Sequence, residues 1–449
     1  MKSTLKCAFC AMALVFQGTE AAAAVDLAAV VKERLEASDT PACIAVGLVD
    51  DTTQEIFACT SGIGKVPIDR NSIFEIGSIS KGFTGLLLAD MVLKGEVSLD
   101  DPASKYSRPG AKLPTYEGHE ITLRDLVTQT SGLPRLPPGY DWSNGKNPYV
   151  AFDADALYAS LARTEITRSI GTKAEYSNFG FMWLSEMLAR RGGKHFDVLL
   201  KERVLDPLGM KDTSIVQSEA QRARMATPHK LPYEPTPPWD FDRDLAGVGG
   251  VRSTLGDMMK LGSALAGRTD TPLKQAIALA LEPMRPAEAP GNQTGFAWVT
   301  LSAAGIRWHN GSTGGSRSMI AVNPGTKTAA VVLVDAAVPF DDLPMHLVDG
   351  ALQMQRKHVA LPIDAATREQ YVGRYDFGAG HVLRVFVDGD RLMTQMTGQG
   401  SIELGREGTD KFFARGVEAA LEFNRNAGKA IEAVTLRQNG HEIRAPRMP

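Results

Sequence analysis

Only four of the 449 residues are cysteine, and the eight histidines are scattered without metal-ligand spacing, so no metal centre is expected. No apolar run reaches the length of a membrane-spanning helix. Neither sign of charge dominates. Forty-nine Lys and Arg against 52 Asp and Glu leave a net charge of −3, which excludes the basic balance of a nucleic-acid or anionic-membrane binder. The Gly-rich segments near residues 249 and 314 do not match a phosphate-binding loop. There is no internal repeat and no biased tract. What remains is an ordinary globular composition, 43% hydrophobic and 22% charged, in a chain long enough for more than one domain.

The first 24 residues have the make-up of an export signal: Lys2 and Lys6, an apolar stretch over 7–16, and small residues at 21–24. Cleavage is expected near Ala23 or Ala24, giving a soluble periplasmic or secreted protein. Cys7 and Cys10 leave with that segment. Cys43 and Cys59 remain, one on each arm of a hairpin expected over 42–49 and 55–60, with its turn at Asp50-Asp51-Thr52. Export permits a disulfide between them; the alternative is two buried thiols packed as small hydrophobes.

An amphipathic helix is expected over 26–37, with Leu27, Val30, Val31 and Leu35 on one face. A second helix starts near Ser78. Phe83, Leu86, Leu87, Leu88, Met91 and Val92 make it apolar on nearly every side, so it belongs in the core, and Gly95 is placed to stop it. Residues 102–250 mix helices with Pro- and Gly-rich loops at 134–148 and 231–239. Their aromatics Tyr140, Trp142, Tyr149 and Trp239 are either cleft walls or surface packing. Adjacent antiparallel strands are expected over 295–301, 305–309, 318–322 and 328–335. A helix over 341–355 then packs back on the sheet beside the N-terminal helix. After a break at 356–368 come short strands at 381–387, 391–397, 411–414, 420–425 and 433–438. Turn signals at Asp388-Gly389, Gly398-Gln399-Gly400, Asn426-Ala427-Gly428 and Asn439-Gly440 separate them, as in a small antiparallel barrel or sandwich. The expected division is an export signal at 1–24, a main domain at 25–358 and a barrel domain at 365–449.

The chemistry begins with Ser78-Ile79-Ser80-Lys81 at the start of the buried helix. Residues three apart share a helix face, so the amine reaches the hydroxyl. A serine hydroxyl needs a nearby base to become a nucleophile, and free N–H groups at a helix start favour a developing oxyanion. Two later segments complete a set: Tyr176-Ser177-Asn178, and Trp308-His309-Asn310-Gly311-Ser312-Thr313-Gly314-Gly315. Three such elements in this order resemble the serine β-lactamase and penicillin-binding protein superfamily. Leu99-Asp100-Asp101-Pro102, Thr130-Ser131-Gly132-Leu133-Pro134, Pro207-Leu208-Gly209-Met210 and Gly249-Gly250-Val251-Arg252-Ser253-Thr254 resemble its class C branch, which includes D-peptidases and esterases. The resemblance spans about residues 27–355. It implies an α+β fold of the β-lactamase/transpeptidase type, an antiparallel sheet flanked by helices with an all-helical lobe. Tyr371-Val372-Gly373-Arg374-Tyr375 resembles the opening of a lipocalin-like β-barrel domain appended to some members.

The resemblance also implies roles. Ser78 is the nucleophile, and Lys81 and Tyr176 share its proton. Each of the pair has an ordinary pKa of about 10, so one must be shifted, and which is the base stays open. Asn178 holds Lys81 and the substrate amide. The N–H groups of Ser78 and Ser312 form the oxyanion hole. His309, Asn310 and Gly311 bind substrate along a strand edge, with Gly311, Gly314 and Gly315 leaving room for its backbone. His309 stands where many relatives carry lysine. A histidine is only partly cationic at neutral pH, which makes carboxylate affinity weaker and pH-dependent. Asn310 replaces a threonine, Asp335 an asparagine and Gln129 a histidine, the last as a structural variation. An acid at 335 near the cleft disfavours a carboxylate, and Arg317 either offsets it or is solvated. Glu75 is expected to cap or brace the helix rather than act as a second base. His381 and His441 are expected at the surface.

No cofactor is implied. The expected partner is a small-molecule substrate, with no nucleic acid and no membrane span; the oligomeric state is left open. The first reading is an exported hydrolase that opens β-lactam rings through an acyl-Ser78 intermediate. The second is a D-amino-acid peptidase or esterase of the same family. The third is a penicillin-binding sensor with little turnover, against which the presence of all three segments argues.

Overall fold

The computed structural model describes residues 25–449, except Gly64, Trp142, Arg356, Ala379, Gly398, Gln399, Gly416, Glu418, Asn439 and Gly440. The export signal at 1–24, the wall residue Trp142 and the turns at 398–399 and 439–440 lie outside the described residues, as does the side chain of His441.

Period-two alternation builds the central sheet. After α1 (Leu27–Glu36), strands β1 (Cys43–Val49) and β2 (Thr53–Cys59) form the expected hairpin. Cys43 and Cys59 are register partners and are joined as a disulfide, which resolves the two alternatives. Later in the chain come β3 (Arg285–Pro286), β4 (Asn292–Thr294), β5 (Val299–Leu301), β6 (Ile306–Ser312), β7 (Arg317–Asn323) and β8 (Thr328–Val334). The eight form one antiparallel sheet in the order β2-β1-β8-β7-β6-β5-β4-β3.

Alternate residues of this sheet serve two cores. Ile320, Val322, Val331 and Leu333 face a large cluster shared with α2 (Ser80–Leu93), α3 (Asn178–Gly192) and α4 (Leu255–Leu265). Met319, Ala321, Ala330 and Val332 face a smaller one, covered by Leu27 and Val31 of α1 and by Leu343 and Leu347 of α5 (Asp342–Val348). The helix α2 is the expected pillar: residues 80–91 are all buried.

Two expectations are corrected. The strand expected over 295–301 pairs only from Val299, because Phe296 and Trp298 turn into the core against α2 and Ala297 takes φ 69° between them. Burial of two aromatic rings outweighs continuing the ladder. The helix expected over 341–355 ends at Val348. The Asp342 carboxylate accepts from Gln355 N at 2.7 Å and from Arg34 Nε at 2.7 Å, which folds the following chain back onto α1 instead of extending the helix.

Beyond this layer, α6 (Ala365–Tyr371) leads into a meander of β9 (Gly373–Asp376), β10 (Val382–Asp388), β11 (Arg391–Met396), β12 (Ser401–Gly408), β13 (Lys411–Ala414), β14 (Ala419–Arg425), β15 (Ile431–Gln438) and β16 (His441–Pro446). Strands β9, β12 and β16 are additional to those expected from turn spacing. A Tyr375–Arg447 bridge and a 2.7 Å bond from Met448 N to Arg374 O bring the two ends together, so the barrel is nearly closed. Its interior is filled by Tyr371, Tyr375, Phe412 and Phe423, whose rings meet edge-on or tilted.

The pillar tolerates nothing at Gly85. Alanine there ordinarily favours a helix by about 1 kcal/mol. Here a Cβ would stand 2.2 Å from Phe296 O, a backbone atom that cannot swing away. Overpacking of this kind costs about 1–3 kcal/mol, so Gly85→Ala should lower stability in urea unfolding. An unchanged or higher midpoint would show that the 296–298 turn is free to retreat.

Candidate active site

A one-turn 3-10 segment, Gly77–Ile79, delivers Ser78 to the start of α2. Ser78 is half-buried, whereas Lys81 is fully buried one turn further on. Lys81 Nζ donates to Ser78 Oγ at 3.0 Å and to Val248 O at 2.7 Å. Desolvation, helped by the nearby Arg135 charge, pulls the Lys81 pKa well below the usual amine range. The expected partner Asn178 does not fill this place. Its Nδ2 approaches the Tyr149 hydroxyl at 3.4 Å, and its buried Oδ1 has no hydrogen-bond partner. The Val248 carbonyl takes the role because the 246–251 segment is docked on α2: Thr84 Oγ1 donates to Gly247 O at 2.8 Å, and Ser80 Oγ accepts from Val251 N at 3.0 Å.

Tyr176 lies beside Ser78, and burial pushes its phenol pKa above the ordinary value. Lys81 Nζ lies 4.8 Å and the Arg135 guanidinium 5.0 Å from the centre of its ring. Gln129 holds the backbone on both sides of it, accepting from Glu175 N with its carbonyl and from Ser177 N with its side chain, each at 2.8 Å. Gln129 thus does structural work, as expected.

The end of β6 closes the site. A Cβ on Gly77 would stand 2.6 Å from Ser312 N, so glycine there lets the two backbones meet. The other glycines answer to protein neighbours rather than to substrate. A Cβ on Gly311 would hit Ile76 O, one on Gly314 the Trp239 indole, and one on Gly315 Thr236 and His229. Strand alternation divides the third segment. His309 and Gly311 face Ser78, but Asn310 faces the opposite core and donates to Asp341 Oδ2 at 2.8 Å. The Asn310 amide is thus committed to Asp341, although the residue also lines the cavity beside Tyr176. Asp335 is likewise buried away from the cleft, accepting from Cys43 N and the Tyr233 hydroxyl, each at 2.8 Å. Arg317 is on the Asp341 side, and its Nε is buried without a hydrogen bond. Glu75 braces the third segment rather than the helix: it accepts from Trp239 N, Thr313 Oγ1 and Ser316 Oγ.

A cavity of about 440 Å³ opens beside Tyr176, lined by Gln129, Thr294, Val299, Trp308 and His309 among others. Tyr149, stacked on Phe241 at 4.6 Å and tilted against Trp239 at 5.4 Å, makes a wall near Asn178. Tyr140 instead packs on Phe152. A hollow of about 540 Å³ elsewhere, between α1, α5 and the barrel, includes none of the Ser78 group. Three participants were not visible as motifs: Arg135, Phe241 and the Val248 carbonyl. Arg135 follows Leu133-Pro134 directly, which is a positional signal; a backbone carbonyl leaves none.

His309 is only 4% exposed, and desolvation, then the nearby Lys81, bring its pKa down to about 4. It is neutral at pH 7, which corrects the expected partial cation. In the unfolded chain the same imidazole titrates near 6.5, so the unfolded state binds the proton first as pH falls. Stability present above about 6.5 is then lost down to about 4, by about 3 kcal/mol. His309→Gln should lose about that much less than the native chain across this window in urea unfolding. Parallel pH curves would mean the imidazole is not buried as a neutral group.

Residues 27–353 match the Beta-lactamase family, and residues 357–447 match a Domain of unknown function (DUF3471). The D-alanyl-D-alanine-carboxypeptidase/endopeptidase AmpH of Escherichia coli (strain K12) is 36% identical over 190 residues, 42% of this chain and 48% of that protein. The match thus spans about half the length of that relative. Penicillin-binding protein 4* of Bacillus subtilis (strain 168) is 24% identical over 417 residues, 85% of this chain and 89% of its own length. Among solved structures, D-alanine carboxypeptidase AmpC from Burkholderia cenocepacia superposes with a TM-score of 0.60 at 23% identity, over 73% of this chain and 98% of that one. That likeness is one of fold, shared with a class C β-lactamase at a TM-score of 0.60. The sheet and helices that bring Ser78, Lys81 and Tyr176 together lie within the matched residues, and the chain belongs to the Beta-lactamase family of the serine β-lactamase/transpeptidase superfamily.

Proposed function

We propose that this chain is a serine hydrolase that cleaves D-amino-acid peptides through an acyl-Ser78 intermediate. The observation that carries the reading is the buried Lys81 amine 3.0 Å from Ser78 Oγ. An amine driven toward its neutral form has a lone pair to accept a proton, and a phenol held above its usual pKa keeps one to give. Ser78 Oγ attacks the carbonyl carbon while its proton passes to Lys81 Nζ. The N–H groups of Ser78 and Ser312 hold the oxyanion. The carbon–nitrogen bond breaks as Tyr176 protonates the leaving amine, and Lys81 returns the proton to Tyr176. Water then attacks the acyl carbon by the reverse route and frees Ser78. Substrate lies along residues 309–312 of β6, whose edge away from β7 has no strand partner among the described residues.

The AmpH relative, named as a D-alanyl-D-alanine-carboxypeptidase/endopeptidase, favours a D-peptide as working substrate. Opening of β-lactam rings by the same Ser78 is the second reading, favoured by the family match. Export through residues 1–24 is part of the proposal and is supported by the Cys43–Cys59 disulfide, which persists in oxidising compartments. So is a division into a hydrolase at 25–358 and a lipocalin-like barrel at 365–449.

The test is an intact-mass time course of the protein with a D-alanyl-D-alanine peptide and, separately, a cephalosporin, with Ser78→Ala alongside. The expected result is release of D-alanine that falls about a thousand-fold or more in the variant. Rapid loss of the cephalosporin with only a fleeting adduct, and no peptide cleavage, would establish the second reading instead. Equal turnover by Ser78→Ala would sink both.

A further inference from the structure

We infer that Arg135 selects substrates that carry a carboxylate on their acyl half. The inference rests on the acyl-Ser78 reading and adds to it the charge of the group that is transferred.

Arg135 is fixed where its backbone meets the start of α3: its carbonyl accepts from Asn178 N at 3.0 Å and from Phe179 N at 3.3 Å. Its side chain reaches back over Tyr176, with the guanidinium 5.0 Å from the ring centre. The residue is exposed, and its guanidinium makes no hydrogen bond or ion pair with any described residue. A guanidinium held over a ring by cation–π attraction spends none of its N–H donors on that contact, so they are left to take a carboxylate through two parallel bonds.

The surroundings leave this charge uncompensated. Glu175 pairs with Arg168 at 3.2 Å, and Glu75 is buried and committed to Trp239, Thr313 and Ser316. The other amine over the Tyr176 ring, Lys81, is buried and driven toward its neutral form. An exposed cation beside the nucleophile without a protein partner is a place for a substrate anion.

Position assigns that anion to one end of the substrate. The cavity beside Tyr176 runs toward His309 and Trp308. Arg135 belongs instead with Asn178 and Tyr149. Asn178, the residue expected to hold the substrate amide, starts α3 against the Arg135 carbonyl, so we place the acyl half past Arg135 and the leaving group toward neutral His309.

The test compares two esters of similar acyl length, para-nitrophenyl hemisuccinate and para-nitrophenyl butyrate. The hemisuccinate-to-butyrate ratio of kcat/KM should fall about ten-fold in Arg135→Gln and be partly kept in Arg135→Lys. Added salt should shrink the preference of the native chain. Taking the ratio removes any effect of Arg135 on the Lys81 proton, which both esters feel alike. A ratio unchanged in Arg135→Gln overturns the inference. Ester cleavage surviving in Ser78→Ala would overturn the acyl-Ser78 reading instead. Calorimetry on Ser78→Ala, with N-succinyl- and N-butyryl-D-alanine amide, then gives the comparison without turnover. Tighter binding of the succinyl compound, lost in the Arg135→Gln double variant, supports the inference, and equal binding overturns it.

Discussion

A primary amine held out of water between Ser78 Oγ and Val248 O is the constraint on which the rest of the structure depends. Keeping an ammonium in such a place costs several kcal/mol, so the group is driven toward its neutral form. That holds only while water is kept out. The apolar body of α2 shuts one side, and the 246–251 segment, bonded to Ser80 and Thr84, shuts another. The same dryness raises the Tyr176 phenol and lowers the His309 imidazole. An amine, a phenol and an imidazole are all pushed toward their uncharged forms chiefly by burial, which lets them be adjacent without a counter-ion.

Strand β6 serves two environments at once. His309 and Gly311 face Ser78, while Trp308 and Asn310 face the core beneath α1 and α5. The bond from Asn310 to half-buried Asp341 therefore anchors, from behind, the strand that carries Ser312 N. A change on the far side of the sheet reaches the site through this strand and not through the cleft.

The three motif segments and their meeting point were legible in the sequence, because S-x-x-K spacing and a buried helix are local patterns. The hairpin of Cys43 and Cys59 was legible for the same reason, and the strands after Ile306 followed alternation. What was not legible depended on distant partners. Gly311, Gly314 and Gly315 look like room for a ligand until Ile76, Trp239 and His229 are seen against them. Asn310 and Asp335 read as cleft residues from their place in the chain, yet strand parity and Tyr233 turn them inward. Arg135 had only its position after Leu133-Pro134 to mark it, and nothing in its neighbours predicts that its side chain folds over a tyrosine 41 positions later.

Two buried carboxyl groups explain how the turn that follows Ser312 is held without a rigid element of its own. Glu75, three residues before the nucleophile, grips it through Thr313 and Ser316, and grips the loop at Trp239 N. Asp335 grips the other end of that loop. Its side chain accepts from Tyr233, whose ring stacks on His229 at 3.9 Å, and its carbonyl accepts from His229 N, which also faces Gly315 O. Burial raises the pKa of both acids, so each hydrogen bond they accept offsets part of a desolvation cost. The disulfide joins the same system, because Cys43 N donates to Asp335 Oδ1. An oxyanion donor must stay aimed while charge develops. Here that aim comes from two acids on opposite sides of one turn, neither of which touches the reacting atoms.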